Sequence, residues 1–191
     1  EADPESFHFA GPFNLETGEI YGGHGSALLP SNILLNYMKQ EIAKGENIVA
    51  LNAATPKFIM GLDKKNRDEF GKHFVDVGIC EEHAAAMASG IAKRGARAIW
   101  GVNSTFFQRT YDQLTQDIAL NNTPVTIFVA NGAGLVDSSP THTGMFDISL
   151  LTSVPNLVVL SPVTKNQYIA MLEYSTKQKE NPIAIRTPRI F

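Results

Sequence analysis

The chain has 191 residues, a formal net charge of −3, a hydrophobic content of 43% and one cysteine. This length suits a single α/β domain with a sizeable core, and the lone Cys80 excludes a scaffold held by disulfides. A slightly acidic chain gives no electrostatic reason to expect nucleic-acid binding, and no apolar run is long enough to cross a membrane. No signal peptide is recognisable, so we expect a cytoplasmic protein.

The first 30 residues contain three prolines and many glycines, with neither a helical nor a strand period. We predict an extended arm or interdomain linker over 1–30 and one domain over 31–191. The GGHG stretch of the arm resembles a phosphate-binding loop, but no strand precedes it, and a linker is the preferred interpretation.

After the arm, helical and strand patterns alternate. In chain order they predict a helix over 31–43 with Ser31 as its N-cap, a strand over 47–52, a helix over 64–70, a strand over 73–77, a helix over 81–94, a strand over 97–102, a helix over 106–120, strands over 125–130 and 157–160, a helix over 164–177 and a strand over 183–186. Such alternation predicts an α/β fold, a mostly parallel sheet covered by helices on both sides. Ligands of these sheets bind at the carboxyl ends of the strands.

Charged residues are scarce in the middle of this pattern. Between Arg97 and Lys165 only five residues are charged, namely Arg109, Asp112, Asp117, Asp137 and Asp147. Because globular proteins average about a quarter charged residues, we expect this part of the chain to be core, interface or both.

The first polar segment at a strand end is DVGICEEH, over 76–83. Acidic residues in the first turn of a helix are ordinary, because they face the positive end of the helix dipole, and this alone accounts for Glu81 and Glu82. Cys80 is interpreted as a small buried hydrophobe and His83 as a hydrogen-bonded core histidine. A metal site is not favoured, since no further ligands follow at a recognisable spacing.

The second segment is NSTFFQRTYDQ, over 103–113. Paired aromatic residues at a helix start usually belong to the core, and Arg109 with Asp112 is typical of a surface ion pair at i, i+3. The functional alternative is an aromatic platform at Phe106 with a positioned guanidinium beside it.

Two further segments carry candidates for chemistry. A polar loop over 131–144 follows the most apolar strand and contains His142, the best candidate for proton transfer in the chain. The alternative is a flexible loop with one structural histidine. Near the end, Arg186 and Arg189 suit an anionic ligand or, equally, a solvated terminus.

The order of these segments resembles a known family. The stretches DVGICEEHAAAMASGIA, NSTFFQRTYDQLTQDIAL, AGLVDSSPTHTGMFDISLL and RTPR, in this order, are similar to the pyrimidine-binding domain of the transketolase group of thiamine diphosphate enzymes. Within that group the 1-deoxy-D-xylulose-5-phosphate synthases are the most similar, and PESFHFAGPFNLETGE resembles the segment that joins their first two domains.

The resemblance implies a three-layer α/β sandwich and a cofactor, thiamine diphosphate, bound between this domain and a diphosphate-binding domain. The GDG…N motif that holds Mg²⁺ in the latter domain is absent here. We therefore expect a fragment or a subunit of a split enzyme that is inactive alone and needs a diphosphate-binding partner, in a homodimer that acts on small molecules. The implied reaction decarboxylates pyruvate and transfers the two-carbon unit to an aldose phosphate, for isoprenoid precursors and thiamine.

The resemblance also implies roles for individual residues. Glu81 matches the glutamate that bonds N1′ of the aminopyrimidine, and Phe106 matches the aromatic residue that stacks on that ring. Arg109 lies in the same lining, and His142 matches a histidine close to the substrate. The remaining positions are Arg189, which matches a ligand of the substrate phosphate, and Arg186, its less certain neighbour.

Some positions depart from the family pattern. Glu82 replaces a glutamine, Asn103 replaces a tyrosine, and 131–134 lacks the arginine of the usual DRAG. The loop before His142 is also shorter. Since these changes lie on the acceptor side, we expect thiamine chemistry with an acceptor other than glyceraldehyde 3-phosphate. The alternatives are a split transketolase subunit that moves a ketol unit, and a non-catalytic relict domain; an oxo-acid dehydrogenase β subunit is more distant.

Overall fold

The computed structural model of the protein describes residues 13–19, 27–131, 141–142 and 144–191. Its centre is a six-stranded sheet in the order β2-β1-β3-β4-β6-β5. The strands are β1 (Ile48–Asn52), β2 (Phe74–Asp76), β3 (Arg97–Asn103), β4 (Thr126–Ala130), β5 (Val158–Leu160) and β6 (Ile183–Arg186). Every neighbouring pair is parallel, which confirms the predicted parallel α/β fold.

The strands are connected mainly through helices. These are α1 (Pro30–Ala43), α2 (Pro56–Met60), α3 (Lys64–Phe70), α4 (Glu81–Lys93), the single turn α5 (Tyr111–Gln113), α6 (Asp147–Ser153) and α7 (Lys165–Lys177). Side-chain caps begin two of them, because Asp63 accepts the backbone N–H of Asn66 and Thr164 accepts that of Gln167. In α1 the N-cap is Leu29 and Pro30 takes the first position, so the prediction of Ser31 as N-cap is wrong.

Helices cover both faces of the sheet. On one face the small residues of α4, with Phe107 and Leu114, pack against a layer that includes Trp100 and Ile127. On the other face α1, α2 and α7 pack against a layer that includes Ile99 and Phe128. Consecutive residues of a strand thus enter opposite cores, as the two-residue period of a doubly covered strand requires. The result is a three-layer sandwich.

The segment over 106–119 is not the uniform helix that the sequence predicts. It begins as a 3₁₀ turn over Phe106–Thr110, passes through α5, and widens into π-helical hydrogen bonding over Leu114–Ala119. Within the π-helical part, the backbone carbonyl of Asp117 accepts the hydroxyl of Ser89 at 2.7 Å. A side chain that bonds the backbone in this way is a recognised cause of irregular helices.

The direction in which successive strands are added to the sheet reverses at β1. The chain passes from β1 to its neighbour β2 on one side, and then from β2 to β3 on the other side of β1. Asn52 joins the two central strands here, because its Nδ2 donates to the carbonyl of Gly101 at 2.9 Å. A reversal of strand order opens a crevice at the carboxyl ends of the strands, which is where this fold places ligands.

Most of the predicted linker, residues 1–12 and 20–26, lies outside the described residues. The boundary at residue 30 therefore stays a prediction. No helix in the described part of the chain is long and apolar enough to cross a membrane.

Candidate functional site

Glu81 is the first residue of α4 and one of few buried carboxylates in the described structure. A turn after β2, with Gly78 at a φ of +71°, leads into α4, and the Glu81 residue is only 4% exposed. The neighbouring Glu82 is exposed. Cys80 and His83 are exposed as well, so their interpretation as buried core residues is wrong. The first turn of α4 therefore directs one glutamate inward and leaves its neighbours in water.

Arg109 is the partner of this carboxylate. Its Nη1 lies 3.2 Å from Oε2 of Glu81, and its side chain is 47% exposed. The two residues are 28 positions apart. Instead of the expected local pair with Asp112, Arg109 thus makes a contact from the 3₁₀ turn after β3 to the start of α4. A buried carboxylate requires such a counter-charge, because desolvation of an unpaired ion is costly.

Phe106 shares the 3₁₀ turn with Arg109. Residues three apart lie on the same side of a 3₁₀ turn, and the guanidinium carbon of Arg109 is 5.4 Å from the centre of the Phe106 ring. This distance is within the range of a cation–π contact. The structure thus places a guanidinium beside the Phe106 ring, and the role of this ring as a binding platform stays a prediction.

His142 completes the group. Its ring meets the Phe106 ring edge-to-face, with centroids 5.0 Å apart and an interplanar angle of 78°. Its Nδ1 lies 2.8 Å from the hydroxyl of Thr141, and the residue is exposed. Contacts thus run from Glu81 through Arg109 and Phe106 to His142, which brings together four candidate residues that follow three different strands. The preceding loop residues, 132–140, lie outside the described residues.

A tight return brings the chain from His142 back to the sheet. Gly144 has a φ of +58°, which favours glycine, and a Cβ at this position would collide with the hydroxyl of Ser104. The backbone N–H of Gly144 donates to Thr105 Oγ1 at 3.2 Å, and Ser104 Oγ donates to the carbonyl of Asn131 at 3.1 Å. These bonds hold the end of the His142 loop against the turn that carries Phe106.

Arg186 and Arg189 are not joined to this group by any described contact. Nε of Arg186 lies 2.7 Å from Oδ2 of Asp147, whose side chain is 1% exposed. Arg189 is exposed. Asp147 is the first residue of α6, and no sequence pattern indicates its pairing with Arg186, because the two residues are 39 positions apart. Arg186 is thereby tied to a structural ion pair, and a phosphate contact for either arginine stays a prediction.

The position that departs from the family tyrosine, Asn103, is also mainly structural here. It is 7% exposed, and its Oδ1 accepts the backbone N–H of Thr105 at 2.9 Å. It stabilises the turn that leads to Phe106. Within the described ranges, no group of three or more His, Cys, Asp or Glu residues has the geometry to hold a metal ion.

The chemistry available at this edge combines a buried acceptor, an aromatic face and a partly exposed cation. Glu81 Oε2 bonds Arg109, whereas no donor among the described residues bonds its Oε1. A planar heteroaromatic molecule with a ring N–H satisfies both the free oxygen and the aromatic face. His142 packs edge-to-face on Phe106 and adds an imidazole next to this aromatic face.

Comparisons with known proteins point to one family. The model of the transketolase pyrimidine-binding domain matches residues 31–190. The 1-deoxy-D-xylulose-5-phosphate synthase of Symbiobacterium thermophilum is 41% identical over 186 residues, which are 97% of this chain and 28% of that protein. The enzyme of that name numbered 1 in Geobacter metallireducens is 39% identical, over 99% of this chain and 30% of its own length. This chain thus spans less than a third of these relatives.

Solved structures agree on the fold. A split-gene transketolase described as an inactive β4 tetramer aligns with a TM-score of 0.70 and 20% identity, over 86% of this chain and 53% of that one. A transketolase of Pichia stipitis, in complex with sedoheptulose 7-phosphate, aligns with a TM-score of 0.72 and 18% identity, over 87% of this chain and 26% of that one. At these identities the likeness shows the fold alone.

Proposed function

The chain belongs to the transketolase pyrimidine-binding domain family, and we propose that it forms the pyrimidine-binding side of a thiamine diphosphate-dependent transferase. The observation that carries the proposal is the burial of the Glu81 carboxylate. This glutamate is withdrawn from water at the carboxyl edge of the sheet, with one oxygen free of donors among the described residues and an aromatic ring nearby. A structural acid of the helix dipole needs neither burial nor an aromatic neighbour.

The residues present fit the aminopyrimidine of this cofactor. Glu81 would hold the proton at N1′ through a carboxyl hydrogen bond, and Phe106 would support the face of the ring. When bound, thiamine diphosphate supplies a carbanion at the thiazolium C2 that can add to a carbonyl group. The burial of Glu81 would strengthen a hydrogen bond to N1′, because a low local dielectric strengthens such bonds.

His142 and Arg109, which are both accessible to solvent, would face the substrate. His142 is exposed, so its imidazole can reach a carbonyl substrate that enters from solvent and exchange a proton with its oxygen. Arg189 would add a positive charge for a substrate phosphate. Arg186 is the weaker candidate, because Asp147 already engages its Nε.

The whole enzyme needs more than this chain. We propose a diphosphate-binding domain or subunit as the partner, with Mg²⁺ on that partner, and a homodimer in the cytoplasm. The similarity to 1-deoxy-D-xylulose-5-phosphate synthases supports a reaction in which pyruvate loses CO₂ and its two-carbon unit joins an aldehyde. If the product is 1-deoxy-D-xylulose 5-phosphate, it would feed isoprenoid and thiamine biosynthesis.

The test compares two adjacent glutamates. In the complete enzyme, Glu81→Ala should lower kcat by orders of magnitude, because it removes the carboxyl that holds the N1′ proton. The matched control is Glu82→Ala, which removes an exposed glutamate from the same helical turn and should leave kcat within about twofold of the parent. Equal rates for the two variants would show that Glu81 serves only the helix dipole.

The identity of the acceptor is tested separately. Asn103 and the segment 131–134 depart from the family on the acceptor side, so we propose an acceptor other than glyceraldehyde 3-phosphate. The complete enzyme is assayed with pyruvate against a panel of aldehydes and ketose phosphates. Efficient formation of 1-deoxy-D-xylulose 5-phosphate would contradict the altered acceptor and leave the thiamine chemistry standing.

A further inference from the structure

The ion pair between Glu81 and Arg109 joins two unequal partners. The carboxylate side chain is 5% exposed, whereas the arginine side chain is 47% exposed. Glu81 therefore depends on Arg109 for compensation of its charge. Arg109 does not depend on Glu81 in the same way, because its half-exposed guanidinium can turn into water at little cost in free energy.

The same guanidinium also engages the aromatic platform. It donates an N–H to Glu81 at 3.2 Å and lies 5.4 Å from the centre of the Phe106 ring. A guanidinium is planar, carries N–H donors at its edge and packs on aromatic rings. A protonated aminopyrimidine ring has the same features, so Arg109 makes the two contacts that such a ring would require.

We propose that Arg109 is a displaceable internal counter-ion of Glu81, which occupies the pyrimidine contacts of the empty site and leaves them when the pyrimidine binds. This inference rests on the proposed function. Arg109 pairs with the buried carboxylate of Glu81 and stabilises the folded domain while the site is empty. The aminopyrimidine then takes over the bond to Glu81 and the ring of Phe106, and Arg109 turns toward solvent and the substrate.

The displacement has a measurable cost in affinity. A half-exposed ion pair and one cation–π contact must be broken, which together correspond to a factor of about three to ten in the dissociation constant. Removal of the guanidinium should therefore have two opposite effects. The empty protein loses stability, and its affinity for the cofactor rises.

The experiment measures both effects on the native protein that contains this chain. Calorimetry gives the Kd for thiamine diphosphate with Mg²⁺, and thermal unfolding gives the Tm of the empty protein. We expect Arg109→Gln to bind about three to ten times more tightly than the parent and to melt at a lower temperature when empty. The control Arg94→Gln, an exposed arginine just after the other end of α4, should change neither value.

Weaker or equal binding by Arg109→Gln, with normal binding by the parent, would overturn the displacement and leave the proposed function intact. Absence of binding by the parent itself would overturn both. A second measurement covers poor folding of the variant: in a Glu81→Gln background the amide needs no counter-ion, so Arg109→Gln should no longer lower the Tm. An undiminished loss of Tm in that background would also refute the counter-ion role.

Discussion

The ion pair between Arg186 and Asp147 allows a quantitative test of how the site is held. Arg186 Nε donates to Asp147 Oδ2 at 2.7 Å, and the side chains are 16% and 1% exposed. The only other hydrogen bond to the Asp147 carboxylate in the described structure comes from the backbone N–H of Ile148, at 2.8 Å. Arg186→Gln would thus leave a carboxylate inside the protein without its counter-charge. Loss of one partner of a buried pair costs about 3 kcal/mol, at the lower end of the measured range because Arg186 is partly exposed.

The assay is urea and thermal unfolding of the 191-residue chain. A loss of about 3 kcal/mol corresponds to a fall in Tm of about 6–12 °C for a domain of this size. Arg189→Gln removes an exposed arginine three residues further on and should change the free energy of unfolding by less than about 0.5 kcal/mol. The double variant Asp147→Asn with Arg186→Gln should recover part of the loss. A loss for Arg186→Gln no larger than that for Arg189→Gln would refute the reasoning and would leave Arg186 available for a phosphate.

Three further predictions concern the core. The buried hydroxyl of Tyr168 has no hydrogen-bond partner among the described residues, and burial raises its pKa well above the usual 10.0. The protein keeps its full stability while this phenol is neutral in both states, below pH 10.0, and loses stability as pH rises toward the higher folded pKa. Tyr168→Phe removes this group, so it should lose less stability than the parent between about pH 8 and about pH 11 in urea titrations. Tyr37→Phe, which removes a hydrogen bond to Thr176, should instead lose about 1 kcal/mol near neutral pH, and an unchanged urea midpoint would contradict the importance of that bond. Gly101→Ala places a Cβ 2.6 Å from Cγ of Met60 and should cost about 1–3 kcal/mol; a stability equal to that of the parent would show that the Met60 side chain moves aside freely.

The sequence predicted the central strands well because β1, β3, β4 and β6 are buried almost throughout. A fully apolar run such as that over 125–130 has few alternatives to a central strand. The candidate site was predictable for a related reason, since the carboxyl ends of parallel strands meet at one edge. Glu81, Phe106, Arg109 and His142 therefore lie together although they are far apart in the chain.

Other features depend on contacts that sequence patterns do not contain. The spacing of apolar residues over 106–120 fits a helix in general but does not distinguish 3₁₀ from α or π hydrogen bonding. The helices α2 and α6 were not predicted, because segments of five and seven residues are too short to show a helical period. The counter-ion of Glu81 was also not predictable, since Arg109 reaches it through space from another loop.

The central claim is that Glu81 binds the pyrimidine of thiamine diphosphate, and a crystal structure of the native protein with that cofactor and Mg²⁺ tests it most directly. We predict a carboxylate oxygen of Glu81 at about 2.6–3.2 Å from N1′, with the ring of Phe106 against the pyrimidine. A cofactor bound elsewhere, with Glu81 still paired to Arg109, would contradict the claim.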